Sequence, residues 1–299
     1  MGMRTGARAV AAVVALAVAG VAGCGVGDGG SPGPAASPTR AKPSPTRTPL
    51  WDRSPSSVAA VGDSITTGFD ACVVLADCKE VSWATGSSPR VDSLAVRLLG
   101  RAEAARHSWN HAVSGARVAD LPAQMARAAR HRPELVTVLV GANDACRPTA
   151  SSMTSAEAFR DDFEKAVRTL RRALPRTQLY VASVPNLKRL WARGRTSVLG
   201  RQVWKLGICP SMLGDAEALD ATATARRNAV QRRVVEYNEV LAEVCAEDKR
   251  CRTDGGAVHD YRFGTGQLSH WDWFHPSVNG QARLAEIAYR SVTARRPLT

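Results

Sequence analysis

Val58-Ala59-Ala60-Val61-Gly62-Asp63-Ser64-Ile65-Thr66 is the stretch on which the reading of this chain turns. Small and β-branched apolar residues that end in a glycine suit a buried parallel strand running into a loop. The pattern then alternates. Val91, Leu94, Ala95, Leu98 and Leu99 at helical spacing predict a helix over 89–105, and 109–113 reads as a second strand. Residues 121–130 read as a helix, and 135–140 form an unbroken apolar strand. A helix over 156–174 follows from Phe159, Phe163, Val167 and Leu170, and a strand over 178–184 is stopped by Pro185. Residues 186–219 read as loop-rich. A long helix over 221–246 carries Val230, Val234, Tyr237, Val240, Leu241 and Val244 on one face. A last short strand is expected at 256–259, then a closing helix over 276–290 with Pro276 in its first turn. Strands alternating with helices predict an α/β fold with a parallel sheet covered on both faces. Such sheets hold their sites at the carboxyl ends of the strands.

Ser64 therefore stands where a nucleophile would be exposed, in the turn after the first strand. A serine hydroxyl needs a base within hydrogen-bond reach. Thr66 occupies the second glycine of a Gly-x-Ser-x-Gly elbow, which disfavours that arrangement. The base comes from the far end of the chain. Asp272-Trp273-Phe274-His275-Pro276 sets a carboxylate three residues before a histidine, so Asp272 can accept from Nδ1–H and leave Nε2 facing Ser64. Two more strand ends offer donors: Ser114-Gly115-Ala116 through the Gly115 N–H, and Gly141-Ala142-Asn143-Asp144 through the Asn143 amide. Preset donors stabilise the negative charge that acyl transfer builds on a carbonyl oxygen. Each piece alone has a plain alternative: a helix-capping serine, a surface Asp–His pair, a turn glycine, an Asx-turn asparagine.

Taken in order, Gly-Asp-Ser, Gly115, Gly-x-Asn-Asp and Asp-x-x-His-Pro resemble the four blocks of the SGNH (GDSL-like) hydrolase superfamily, named for residues that are here Ser64, Gly115, Asn143 and His275. The resemblance covers nearly all of 58–290. It implies a flavodoxin-like three-layer α/β/α sandwich with a central parallel sheet. It also implies a serine esterase with Ser64 as nucleophile, His275 as base and Asp272 orienting it. The Ser64 and Gly115 N–H groups with Asn143 would form the oxyanion hole, with no metal or organic cofactor. Ile65 stands where the family name has leucine, a conservative change. Ser82-Trp83-Ala84-Thr85-Gly86, Val184-Pro185-Asn186-Leu187 and the stretch 263–275 are similar to the phospholipase B-like branch. The pocket is expected from parts of 71–86 and 186–213. Trp83, Trp191 and Trp204 there either grip the substrate or pack in core and lid. A carbohydrate O-deacetylase and a non-catalytic binding lipoprotein are the competing readings.

The N-terminus reads as an address. Arg4 and Arg8 precede the apolar run 9–22, whose length of ~21 Å as a helix falls short of the ~30 Å hydrocarbon core. Val21-Ala22-Gly23-Cys24 resembles a lipobox, which makes 1–23 a lipoprotein signal peptide and Cys24 the lipidated residue on the outer face of a bacterial membrane. A plain signal peptide containing a cysteine is the alternative. Residues 24–57 are rich in Gly, Pro, Ser and Thr and are expected to be an extended tether, leaving 58–299 as the hydrolase domain. With Cys24 acylated, six of the seven cysteines remain for an oxidising compartment. Their connectivity is open among ~15 pairings; Cys72–Cys78, Cys146–Cys209 and Cys245–Cys251 are the pairs we expect, the first and last being close neighbours. No Cys-x-x-Cys or close Cys/His cluster suggests metal. The formal charge of +13 raises nucleic acid as a partner, but the arginines, Arg226 and Arg227 among them, are scattered over helix-like stretches without interleaved aromatics. Solvated helix faces or attraction to an acidic envelope are the expected reasons for them. The expected partners are an ester substrate (lipid, acylated sugar or small ester) and the membrane, for a chain acting as a monomer.

Overall fold

The computed structural model describes residues 50–298. Cys24, the signal peptide and most of the expected tether lie outside them. Five parallel strands are connected by helices in the chain order β1 (Val58–Gly62), α1 (Ser64–Thr67), α2 (Leu94–Leu99), α3 (Arg101–His107), β2 (Ser108–Asn110), α4 (Leu121–Ala129) and β3 (Leu135–Leu139). There follow α5 (Ala142–Ala145), α6 (Ala156–Ala173), β4 (Gln178–Val181), α7 (Leu187–Gly194), α8 (Val198–Trp204), α9 (Pro210–Leu213), α10 (Ala221–Ala246), β5 (Cys251–Thr253), α11 (Ala257–Asp260) and α12 (Val278–Thr293). The sheet order is β2-β1-β3-β4-β5, with every pairing parallel. This is the flavodoxin-like order, in which connections leave β1 and β3 in opposite directions and open a crevice at their carboxyl ends. Helices α4, α6 and α10 pack on one another in succession, while α12 packs on α2 and β5. The result is the expected α/β sandwich around β1 and β3, every residue of which is buried.

The long helices form where the apolar period predicts them. Ser155 caps α6 by accepting from Ala158 N–H, and Phe159, Phe163, Val167 and Leu170 are buried. Asp220 caps α10 in the same way through Ala223 N–H. The differences from the expected elements have local causes. The helix over 89–105 is two helices, because Gly100 adopts φ 78° and breaks the ladder between α2 and α3. The second strand is 108–110 and not 109–113. The expected strand at 256–259 is helix α11, entered through Gly256 at φ 82°. The last strand is Cys251–Thr253, which carries no apolar run to announce it. Pro276 lies outside the closing helix; Ser277 is the N-cap, accepting from Gly280 N–H.

Ordered packing starts upstream of 58. Trp51 is buried, donates from its indole to Val292 O and lies under the Arg252 guanidinium. The region 186–219 is not loop-rich; it holds α7, α8 and α9, and a buried arginine organises it. Arg227 on α10 is 1% exposed. It donates to the carbonyls of Met212, Gly214, Asp215 and Ala218 and stacks over Trp191. One guanidinium with five donors thereby satisfies a turn that offers carbonyls inward. For Arg227, then, the solvated-face reading is corrected. Disulfides join Cys72 to Cys78, Cys146 to Cys209 and Cys245 to Cys251, the expected pairs.

Candidate active site

Ser64 is the first residue of α1, at the end of β1. Gly62 has to be glycine: at φ 142° a Cβ there would sit 2.1 Å from Leu139 O. Its N–H and C=O are both taken by the Gln124 amide, at 2.7 and 2.9 Å. Asp63 then caps α1 by accepting from Ile65 N–H. The stretch 82–86 clamps the same turn from behind, with Ser82 donating to Thr66 O and the Trp83 indole to Thr66 Oγ1. These contacts hold the β1–α1 turn that carries Ser64.

The loop before α12 supplies the partner groups. His275 Nε2 lies 2.8 Å from Ser64 Oγ, and Nδ1 lies 2.5 Å from Asp272 Oδ2. Asp272 is fully buried, and its other oxygen accepts the N–H groups of Phe274 and His275. With Oδ2 taking Nδ1–H, the ring's remaining lone pair is Nε2, aimed at the hydroxyl. Burial penalises both charges, yet the pair favours them. Desolvation pulls the His275 imidazole down, but the charge of Asp272 and their hydrogen bond leave it raised above its ordinary value. Desolvation likewise pushes the Asp272 carboxyl up, and the His275 charge with its hydrogen bonds leaves it lowered.

Gly115 and Asn143 border the same cavity as Ser64 and His275. Gly115 has φ 82°, a left-handed conformation that glycine adopts without strain. Neither the Ser64 nor the Gly115 N–H finds an acceptor among the described residues. Asn143 Nδ2 donates to Ala116 O at 3.0 Å, which leaves its second hydrogen available. Its loop is held by Asp144, which accepts from Val118 N–H and Thr154 Oγ1. A Cβ at Gly141 would meet Val184 at 2.8 Å, so that glycine is set by packing. The structure thus brings Ser64, Asp272, His275, Gly115 and Asn143 to one place.

The cavity measures about 230 Å³ and is walled by Ile65, Phe69, Leu187, Leu190, Ile208 and Phe274, among others. Cys146 and Cys209 are part of this wall, so their disulfide ties the Asn143 loop to the segment before α9. The three tryptophans do not line it. Trp83 lies behind α1, Trp191 bonds to Ala216 O, and the Trp204 indole donates to Asp272 O at 2.6 Å. Trp204 therefore holds the Asp272 loop, a role its sequence position gave no sign of. Phe69, Phe263 and Leu268 are lining residues outside the two expected segments.

A family model described as GDSL-like Lipase/Acylhydrolase matches residues 58–288. The chain belongs to the GDSL-like lipase/acylhydrolase family. It is an acylhydrolase of the carboxylic ester hydrolase kind. No curated protein matches it. Among solved structures, it is similar to an alpha/beta hydrolase enzyme from the metagenome of Lake Arreo, with 19% identity, 79% of this chain and 94% of that chain covered, and a TM-score of 0.48. An extracellular lipase from Streptomyces rimosus has 18% identity, coverage of 80% and 99%, and a TM-score of 0.45. A family two carbohydrate esterase from Clostridium thermocellum, in complex with cellohexaose, has 13% identity, coverage of 79% and 63%, and a TM-score of 0.45. The five site residues above all lie within the span of the GDSL-like family match.

Proposed function

We propose that this protein is a serine esterase that hydrolyses carboxylic esters with a short to medium apolar acyl group, working as a lipid-anchored monomer on the outer face of a bacterial membrane. The observation that carries the reading is the continuous line from Asp272 through His275 to Ser64, opening into an apolar cavity. In the proposed reaction, Ser64 Oγ attacks the ester carbonyl carbon while His275 Nε2 takes its proton. The carbonyl oxygen becomes an oxyanion held by the Ser64 and Gly115 N–H groups and Asn143. Collapse expels the alcohol, which takes the proton from His275, and leaves acyl-Ser64. Water then repeats the sequence to release the acid and restore the hydroxyl.

The cavity's apolar lining favours an acyl chain over a sugar. Its volume of about 230 Å³ lies below the ~300–1,000 Å³ of pockets for drug-sized ligands, which favours a short chain. The membrane anchor rests on Cys24 and the small residues before it. The deciding experiment uses residues 50–299, with Ser64→Ala beside it, on p-nitrophenyl esters from acetate to palmitate. Ser64-dependent turnover that peaks at short or medium chains supports the proposal. No turnover on any ester, together with no fluorophosphonate labelling of folded protein, sinks it. In the full chain, Cys24→Ser should move the protein from membrane to soluble fractions with the same specific activity.

A further inference from the structure

A second buried carboxylate stands beside Asp272 and takes no part in the reaction above. Asp70 is 1% exposed. One oxygen of Asp70, one of Asp272 and one ring nitrogen of His275 lie within 4.8 Å of one another. The two carboxylates are provided for very differently. Asp272 accepts three hydrogen bonds, from Phe274 N–H, His275 N–H and His275 Nδ1. Asp70 accepts one, at Oδ1 from Leu75 N–H, and its Oδ2 is buried without a partner. Two carboxylates this close in a low-dielectric site do not both stay ionised, and the proton goes to the one with fewer donors.

The backbone keeps Asp70 in place at some cost. It adopts φ 55°, uncommon for a residue other than glycine. Asp70 N–H donates to Ala76 O, and its carbonyl accepts from Ser269 Oγ on the loop that carries Asp272. The Cys72–Cys78 disulfide closes the same loop. Asp70 is thus fixed beside the Asp272 loop through its N–H, its carbonyl and the closed 72–78 loop.

We propose that Asp70 is a positioning residue: while His275 is neutral, Asp70 Oδ2 carries a proton and donates it as a hydrogen bond to Asp272, so the two carboxylates share one proton and one negative charge. This rests on the esterase reading for its consequence, though not for the proton itself. The shared proton holds the Asp272 carboxylate in the plane that His275 needs, and it keeps a second full negative charge away from the base. Desolvation, followed by the charge of Asp272, pushes the Asp70 carboxyl up to about 6, with a protonated His275 pulling it the other way. When His275 is neutral, as a base must be, that pull is gone and Asp70 holds its proton more firmly. The charged groups around the pair are His275 itself and Asp63, whose charge also acts on the imidazole.

Two variants separate the proton from the side chain. Asp70→Asn keeps a neutral donor toward Asp272 and an acceptor for Leu75 N–H; Asp70→Ala removes both. At the pH where His275 has just lost its proton, the infrared difference spectrum of wild type minus Asp70→Asn should contain the C=O stretch of a protonated carboxyl. On esters, Asp70→Asn should keep kcat within ~3-fold, while Asp70→Ala loses ~10-fold or more in kcat at unchanged KM. Absence of the carboxyl band overturns the proposal. So does an Asn variant as impaired as the Ala variant, because Asp70 would then act as an ion. The infrared result decides even for a protein that turns over no ester, so failure of the esterase reading and failure of this one are distinguishable. If Asp70→Ala does not fold, the Asn arm and the spectrum still decide.

Discussion

Among the described residues, two Ser/His/Asp groups stand at the carboxyl edge of the sheet, and they differ in what faces the hydroxyl. In the first, Ser64 Oγ faces His275 Nε2, and Nδ1 is committed to Asp272. The second is Ser183, His259 and Asp254. There the Ser183 hydroxyl donates directly to Asp254 Oδ2 at 2.8 Å, and His259 meets it with its backbone N–H. The His259 ring points elsewhere, with Nδ1 near Val184 O and the Asn238 amide. Asp254 spends its oxygens on Ser183, Gly256 and Val258 N–H groups, which stitch β4 to the loop after β5. Ser183 and Asp254 even line a cavity larger than the one at Ser64, about 550 Å³. The lesson is one of direction: a hydroxyl that gives its proton to a carboxylate locks a loop, and one that gives it to an imidazole can become a nucleophile.

The contrast breaks most sharply with the serines. Ser64→Ala should lower kcat by several orders of magnitude, about 10⁴-fold or more, with Tm nearly unchanged. Ser183→Ala should do the reverse, with kcat kept and Tm lower by several degrees, because Asp254 and the His259 N–H each lose a buried partner. Esterase kinetics beside thermal melts on both variants check the pair; a loss of turnover in Ser183→Ala would show that the second group also serves the reaction. Asp272→Asn should cost ~10²–10⁴ in kcat, since an amide cannot hold Nδ1–H and the imidazolium together. Asp254→Asn should cost ~1–3 kcal/mol of stability and no activity.

A smaller effect sharpens the site itself. If Asn143 is the oxyanion donor we propose, Asn143→Ala should reduce kcat by ~10²–10³ at similar KM, which steady-state kinetics on a soluble ester would read. The pH behaviour follows from the shifted groups. Because His275 is raised above its ordinary 6.5, kcat/KM should fall on the acid side along a limb that lies above that value. Stability has a distinct signature. Desolvation raises Asp63 from 3.8 to about 7, and Asp70 to about 6, so between about pH 4 and 7 the native state binds protons that the unfolded chain has released. Stability should therefore fall as pH rises through that window. The raised His275 acts in the same direction, losing its contribution as pH passes its folded value, whereas the lowered Asp272 is lost only in more acid solution. Asp63→Asn, which keeps the cap on Ile65 N–H, should flatten part of this slope in melts across the window.

Local letters were enough for much of this. The strands β1, β3 and β4 and the helices α6 and α10 announce themselves, because their burial is written as an apolar run or a 3.6-residue period. The groups Gly-Asp-Ser and Asp-x-x-His-Pro, with Gly115 and Asn143, name the candidate site because parallel strands deliver their carboxyl ends to one edge whatever lies between them. Even the disulfide partners were reachable from spacing for two of the three pairs. Four other features were decided only by the tertiary structure. Strand β5 has three residues and no apolar run, and pairs because β4 offers it a free edge. The segment 186–219 folds because Arg227, 1% exposed, supplies donors from α10 to carbonyls beside α9. Trp204 and Asp70 reach Asp272 from 68 and 202 residues away along the chain, one through the Asp272 carbonyl and the other through its carboxylate. Sequence records which groups a residue carries; which of them loses water, and which way its hydrogen bond points, depends on neighbours that only the folded chain brings near.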